Sequence, residues 1–405
     1  MQGFFTRKDT QFKGRTHKTT AGCGSCRLYK TCKSPRMKVG GKGKKKILII
    51  GEAPSEKDDL QGTQFVGRTG VYLAKELKRL GIDLHKDCWK INAVNCRLPK
   101  NRKPNIPSEG EIEACRPLVF KAITECKPKV IVVLGMPAVQ TLFDHRYHKA
   151  LNSLIAWRGW CVPDRELGAW ICPTYHPNFL MRKETVSSAG VIFRNDLKQA
   201  IKKTRKDLPT FDREEEQVRT LFKAKDIEKY LRGMLRKEPG LVAFDYETTG
   251  LKPHAKGHKI VSCAFAGSRT KATAFPLLDE NKATLKKILT NKSIGKSAAN
   301  LKFEETWTRV LLGYKIRGWK WDTMIAAHCL NNAPKITSLK FQACVRYGVF
   351  DYDSHIEPYL KATDGKSDNS LNTIHKVKME DLLIYNGIDA LLEYRLTKDQ
   401  MKELK

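Results

Sequence analysis

The sequence predicts two α/β units joined by a short charged linker. Three observations carry that expectation. Between residues 46 and 201, short apolar runs alternate with segments of helical period, as strands and helices do in a mostly parallel sheet. A second group of strands, Leu241–Asp245, Ile260–Ala266 and Thr273–Pro276, precedes a mainly helical C-terminal stretch. Between the groups, Lys202–Gln217 is charged, carries Pro209 and ends in EEEQ.

In chain order, residues 1–46 hold 14 Lys/Arg and one acidic residue, Asp9. Residues 1–21 are expected to be a solvated basic arm, compatible with phosphate contacts. Lys46–Pro54 (KILIIGEAP) reads as a strand running into a tight turn. Thr69–Leu80 places Leu73, Leu77 and Leu80 on one helical face. Cys88–Val94 is a second strand, followed by the polar loop Arg97–Pro107 and a helix over Glu109–Cys126. Val130–Gly135 is a third strand. Met136–Phe143 is a helix that tolerates Pro137 in its first turn. Trp170–Pro173 is a fourth strand, with His176-Pro177-Asn178 at its end. Sheets of this kind bind ligands at the carboxyl ends of their strands, where GEAP, the Asn92 region and YHPN all fall.

Residues 22–203 therefore form one expected domain, 204–217 a linker and 218–405 a second domain. Val218–Lys237 is expected to lead into the second domain as a helix. After its strands, Thr284–Leu289, Phe303–Leu312, Thr323–Leu330 and Leu382–Leu396 read as helical.

The chain has 405 residues, with 75 Lys+Arg against 43 Asp+Glu and a formal net charge of +32. Such an excess favours a polyanionic partner, nucleic acid first. No apolar run approaches the ~18 residues that span a bilayer. No apolar signal core suggests export, so a cytoplasmic protein is expected. Without export, the 12 cysteines argue for reduced thiols or metal ligation rather than a disulfide scaffold.

The chemistry begins at LVAFDYETTGL. Asp245 and Glu247 end a buried strand and share one of its faces, because strand side chains alternate. In ANLKFE, Asn300 stands four residues before Glu304. In LLIYNGIDALLEYRL, Tyr385 and Asp389 stand at i and i+4 on one helical face. Four carboxylates from three segments are what two Mg²⁺ or Mn²⁺ ions about 3.5–4 Å apart require.

The motifs D-Y-E-T, N-x-x-F-E and Y-x-x-x-D, in this order, resemble those of the DEDD 3′–5′ exonucleases, an RNase H-like fold. The tyrosine points to the proofreading domain of family A DNA polymerases. The resemblance implies a metal-dependent 3′–5′ exodeoxyribonuclease on single-stranded or frayed 3′ ends. Asp245, Glu247, Glu304 and Asp389 would hold the metal, Tyr385 would orient water, and Asn300 would contact substrate. Position 304 is Glu where that family usually has Asp.

Cys23-Gly-Ser-Cys26, Cys96 and Cys115 offer four thiolates, which by count suit zinc or an iron–sulfur cluster equally, with Cys32 a rival ligand. Cys88, Cys126, Cys161, Cys172, Cys263, Cys329 and Cys344 read as small core residues. GEAPSEKDDLQGTQFVGRTG, INAVNCRLPKNRKP, VIVVLGMPA, WRGW and PTYHPNFLMR together resemble the family 4 uracil-DNA glycosylases, a three-layer α/β fold. That resemblance implies a [4Fe–4S] cluster on Cys23, Cys26, Cys96 and Cys115. It also implies Glu52 near the attacked sugar carbon, Phe65 stacked on a flipped uracil, Asn92 reading its edge and His176 stabilising its charge. Ser55 stands where that family has Gly, so excision is left open, and Asn178 where Ser is usual.

The order of the two halves resembles the front of certain phage-type DNA polymerases used in replication and proofreading. A polymerase domain on a separate chain is the expected partner. The rival expectations are an RNase D-like ribonuclease, or a non-catalytic glycosylase-like clamp beside the nuclease.

Overall fold

The computed structural model describes residues 22–143, 153–182, 187–210, 213–362 and 370–405. The basic arm 1–21 lies outside them. The chain forms two compact units, one running up to Thr210 together with Cys344–Phe350, and the other built from Phe211–Ala343 and Asp351–Lys405.

The first unit is a five-stranded sheet in the order β2-β1-β3-β5-β4. Its strands are β1 (Ile47–Gly51), β2 (Cys88–Asn92), β3 (Val130–Leu134), β4 (Val162–Asp164) and β5 (Ala169–Thr174). All neighbours run parallel except β4, which pairs antiparallel with β5. Continuous apolar runs such as ILII and VIVVL are buried end to end, as strands covered on both faces must be. Leu73 and Leu77 of the helix Arg68–Lys78, with Phe193 and Leu197 of Ser187–Lys202, enter that core. The chain order reverses at β1, which lies between β2 and β3. A crevice therefore opens at the carboxyl ends of β1 and β3.

The second unit is a six-stranded sheet in the order β11-β10-β7-β8-β9-β6. Its members are β6 (Val218–Thr220), β7 (Val242–Thr248), β8 (Ile260–Ala266), β9 (Ala272–Pro276), β10 (Lys296–Ala298) and β11 (Trp319–Asp322). β7, β8 and β9 form an antiparallel meander. β10 and β11 extend the sheet parallel to β7, so all three end at one edge. The helix Met379–Glu403 packs Leu383, Ala390 and Leu391 on the small side chains of β8 and β9. Gly387 lets it approach, since a methyl there would collide with Val218.

Three expectations need correction. Val218–Lys237 is not one helix: Val218–Thr220 pairs with β9 as an edge strand, and the helix begins at Ala224. Val218 and Thr220 are β-branched, and Ala272–Ala274 offers an open edge for them. The EEEQ end of the charged stretch is tied to the second unit: Glu214 is buried and meets Arg395 at 2.8 Å, and Gln217 accepts from the same guanidinium. The helix from Lys302 stops being α-helical at Trp307 and continues as a π-turn over Thr308–Leu312. Among the thiols assigned to the core, Cys329 is exposed. No helix among the described residues is long and apolar enough to cross a membrane.

Candidate functional site

β7 carries Asp245 and Glu247 to the carboxyl edge of the second sheet, and the helix Met379–Glu403 lays Asp389 against them. One carboxylate oxygen from each of the three lies within 4.8 Å of the others. Glu247 and Asp389 are buried and Asp245 partly so. Burial first, and then the Asp389 charge, pushes the Asp245 carboxyl well above the ordinary range. Burial, then Asp245, does the same to Glu247. Three acids that resist ionising together are a ready cage for a hard divalent cation, which would offset their repulsion.

Neighbours orient this cage. Asn386 donates to Asp245 Oδ2 at 2.7 Å and is itself fixed by the Ser262 hydroxyl, 3.0 Å from Asn386 Oδ1. Tyr352 donates to Asp389 Oδ1 at 2.5 Å, and Tyr385 donates to the same carboxylate. Lys340 is ion-paired with Asp353, lies over the Tyr385 ring at 5.4 Å, and its charge offsets only part of the rise that burial imposes on all three carboxyls.

Sequence reasoning missed Tyr352, Asn386 and Lys340. Asn386 is the neighbour of Tyr385 and was in view, whereas nothing in FDYDS marks Tyr352. Glu304 is buried behind Asp245, outside the trio, with its Oε2 lacking a hydrogen-bond partner. Asn300 takes a left-handed turn (φ 67°). Its N–H and that of Leu301 donate to Asp322, which also caps the helix Thr323–Leu330. An Asp just before an apolar helical run is a readable cap signal.

In the first unit, Glu52 follows β1, Asn92 ends β2 and His176 follows β5, all at one sheet edge. A methyl built on Gly51 would stand 2.5 Å from Asn92 Oδ1 and 2.7 Å from Phe65 Cζ, so both side chains close over the end of β1. A methyl on Gly135 would collide with Glu52 Oε1 and lie 3.0 Å from His176 Cβ. His176 Nδ1 is 4.0 Å from Glu52 Oε2 and accepts from the Asn178 N–H at 3.3 Å. That bond leaves the imidazole hydrogen on Nε2, a donor. The structure thus brings Glu52, Phe65, Asn92 and His176 to one crevice.

Phe65 holds φ at 62°, which is costly for an aromatic residue. Gly70 packs directly on its carbonyl. The buried Asp58 carboxylate accepts from the next two N–H groups, Val66 at 2.7 Å and Gly67 at 3.2 Å. Ser55 is extended (φ −74°), a conformation open to any residue, and its hydroxyl is engaged by Asp58 in a capping box for Glu56–Gln61.

Cys23, Cys26, Cys96 and Cys115 line one pocket with Leu28, Val94, Ala114, Tyr29 and Arg36. Cys32 does not line it; its thiol hydrogen-bonds that of Cys96. Cys23–Cys26 is a single helical turn rather than a loop. Backbone N–H groups reach two sulfurs, Arg36 to Cys96 and Asn95 to Cys115, each at 3.3 Å. Burial pushes the Cys96 thiol up to about 12 and Cys115 to about 11, so a metal must displace both protons. Among the described residues no three of these sulfurs lie within 4.8 Å of one another. A lone tetrahedral zinc, at about 2.3 Å from each sulfur, would draw them closer. A larger thiolate-bound group suits these donors. Asn95, wholly buried, links the two features: its side chain brackets the Asn92 backbone at 3.1 and 2.9 Å.

Comparison with known proteins divides the chain the same way. Residues 37–204 match the uracil DNA glycosylase superfamily, and residues 216–405 match the 3′-5′ exonuclease domain. A type-4 uracil-DNA glycosylase of Pyrobaculum aerophilum is 34% identical over 187 residues, covering 45% of this chain and 90% of that protein. A DNA polymerase of Bacillus phage SP01 is 22% identical over 315 residues, covering 71% of this chain and 33% of the polymerase. Among solved structures, Brucella melitensis NrnC with bound Mg²⁺ is 18% identical with a TM-score of 0.32, over 46% of this chain and 82% of that one.

Proposed function

Because the chain belongs to the type-4 uracil-DNA glycosylase family through its first unit and carries a 3′–5′ exonuclease domain in its second, we propose that it trims DNA 3′ ends. We propose further that its first unit reads uracil in the same polymer. One observation carries the nuclease reading: Asp245, Glu247 and Asp389 converge within 4.8 Å beside Tyr385. A bound divalent ion would supply a polarised water and offset charge at the scissile phosphate. Asn386 keeps one Asp245 oxygen turned away, so the other is presented. Tyr352 and Tyr385 fix the Asp389 carboxylate, and Tyr385 is the group to orient the attacking water. DNA is favoured over RNA by the glycosylase family of the first unit and by the phage polymerase relative.

In the first unit, Phe65 supplies an aromatic face, Asn92 an edge donor and acceptor, and His176 an Nε2 hydrogen for charge developing on the base. Glu52, 4.0 Å from that imidazole, would hold a water near the sugar. Ser55 is taken up by the helix cap, which supports an active pocket. The four thiols would hold a [4Fe–4S] cluster, which serves as a cross-link between Cys23–Cys26 and the helix of Cys115. The phage relative also supports a replication setting, in which a separate polymerase chain would be the partner. Co-purification with a family A polymerase chain tests that contact.

The test of the activity uses 5′-labelled single-stranded DNA and RNA of one sequence with Mg²⁺ or Mn²⁺. DNA should shorten stepwise, and Asp245→Ala should abolish shortening. RNA cut in preference to DNA would move the substrate class, and undiminished Asp245→Ala activity would remove the site. In that variant, uracil-containing DNA should acquire alkali-labile sites; their absence, with no preferential binding of uracil, makes the first unit a structural clamp.

A further inference from the structure

The turn that carries Phe65 is held from both ends. After Phe65, the Asp58 carboxylate takes the N–H groups of Val66 and Gly67. Before it, a buried cation takes the carbonyl: Lys90 Nζ donates to Gln64 O at 3.2 Å. Lys90 stands on β2 and is only 2% exposed. A buried ammonium is costly unless acceptors complete it. Its other acceptor is His85 Nδ1, 2.9 Å from Nζ. An ammonium only donates, so Nδ1 is the bare nitrogen of a neutral imidazole. Desolvation and then the Lys90 charge lower the His85 pKa, which keeps that nitrogen free to accept. Desolvation also lowers the Lys90 pKa, and the Asp58 charge opposes that fall.

Strand geometry explains why a lysine reaches this carbonyl. Side chains two apart on a strand share a face, so Lys90 lies on the face of Asn92, one step back from the carboxyl edge. The chain at Gln64–Phe65 spans that step. The Gln64 carbonyl meets Lys90, while the Phe65 ring closes with Asn92 over Gly51. The Gln64 side chain is used elsewhere, donating to the Lys38 carbonyl. Phe65 holds a φ of 62°, which an aromatic residue keeps only where its surroundings impose it. Lys90 and Asp58 supply that constraint, a cation and an anion on either side of one strained residue.

We propose that Lys90, oriented by His85, is a positioning residue for base reading: by holding the Gln64 carbonyl it fixes the Phe65 ring where a flipped uracil would stack. The inference rests on the reading of the first unit as a uracil pocket. The alternative is an ammonium that only fills the interior beside β2. Its loss would then change stability and leave base preference intact.

The test uses the full chain carrying Asp245→Ala, so that bound DNA is not trimmed. Two single-stranded oligonucleotides differ only in uracil or thymine at one position. Lys90→Met keeps the length of the side chain and loses its charge. Affinity for the uracil strand should fall about tenfold, with affinity for the thymine strand unchanged. With 5-fluorouracil at that position and saturating protein, the upfield ring-current shift of the ¹⁹F resonance should shrink in the variant. Undiminished uracil preference and an undiminished shift would overturn the proposal. Should Lys90→Met fail to fold, His85→Ala, at an exposed position, is read the same way. A smaller shift then supports the assignment, and an unchanged one overturns it. If the parent prefers uracil and the variants match it, only Lys90 loses its role. If the parent shows neither preference nor shift, the uracil reading of the first unit falls too.

Discussion

Tyr352 donates its hydroxyl hydrogen to Asp389 at 2.5 Å, and its ring stacks on Tyr385, centroids 6.0 Å apart. Two tyrosines thus share one carboxylate: one sits a turn earlier on the same helix, and the other comes from a segment the motif does not include. Burial and the Asp389 charge hold both phenols well above their usual pKa, so both act as donors.

The two hydroxyls should differ in what they do. Tyr352→Phe removes a hydrogen bond to a charged group, worth about 1.5–3 kcal/mol, and should loosen Asp389 and weaken metal binding. Tyr385→Phe should lower the rate by about a hundredfold with little change in Mn²⁺ affinity. Single-turnover nuclease assays across a Mn²⁺ series separate the two. Identical behaviour of the variants would remove the distinction.

Iron should follow the cavity. Protein purified without oxygen should be brown, with about four irons per chain. Cys96→Ser and Cys115→Ser should lose iron, whereas Cys32→Ser should keep it, because Cys32 lies outside the lining. Stoichiometric zinc with no iron would refute the cluster. Asn95→Leu, which breaks the link from Cys115 to the Asn92 backbone, should weaken uracil binding even where iron is retained.

Ser55 is a capping residue here. Ser55→Ala should cost about 1 kcal/mol of stability in urea unfolding, and Ser55→Gly only a few tenths. Ser55→Gly should change the rate of uracil excision by less than about threefold. A large gain with Gly would show that the side chain obstructs the pocket.

Lys296 is fully buried on β10 and donates to the Asn291 carbonyl at 2.5 Å, with burial lowering its pKa to about 8. Its unfolded value is near 10.4. Between those values the unfolded chain binds the extra proton, so this group makes stability rise with pH. Lys296→Met should lack that contribution. Urea unfolding at pH 7.5 and 9.5 should therefore shift in favour of wild type at the higher pH, relative to the variant. Parallel pH dependence in both would show that Lys296 stays charged when folded.

Much of the molecule is local in origin. The apolar runs ILII, VIVVL and VAF are buried strands because nothing in them can face water. Asp245 and Glu247 share a strand face, and Tyr385 and Asp389 a helix face, by period alone. The thiols of Cys23, Cys26, Cys96 and Cys115 were legible as a set through their motifs. Val218–Thr220 was not, because three residues show no period and only the free edge of β9 makes them a strand.

What the sequence by itself determined is the long apolar strands, several of the helices and the candidate acids, since each depends on residues close in the chain; the short strands Val162–Asp164, Lys296–Ala298 and Trp319–Asp322 and the helix Ser187–Lys202 were not read from it. Only the tertiary structure decided which acids meet. It set Glu304 outside the trio and brought Tyr352 to Asp389 across 37 residues. Those relations depend on sheet register and helix packing, where one residue of slip or one turn of rotation changes every partner.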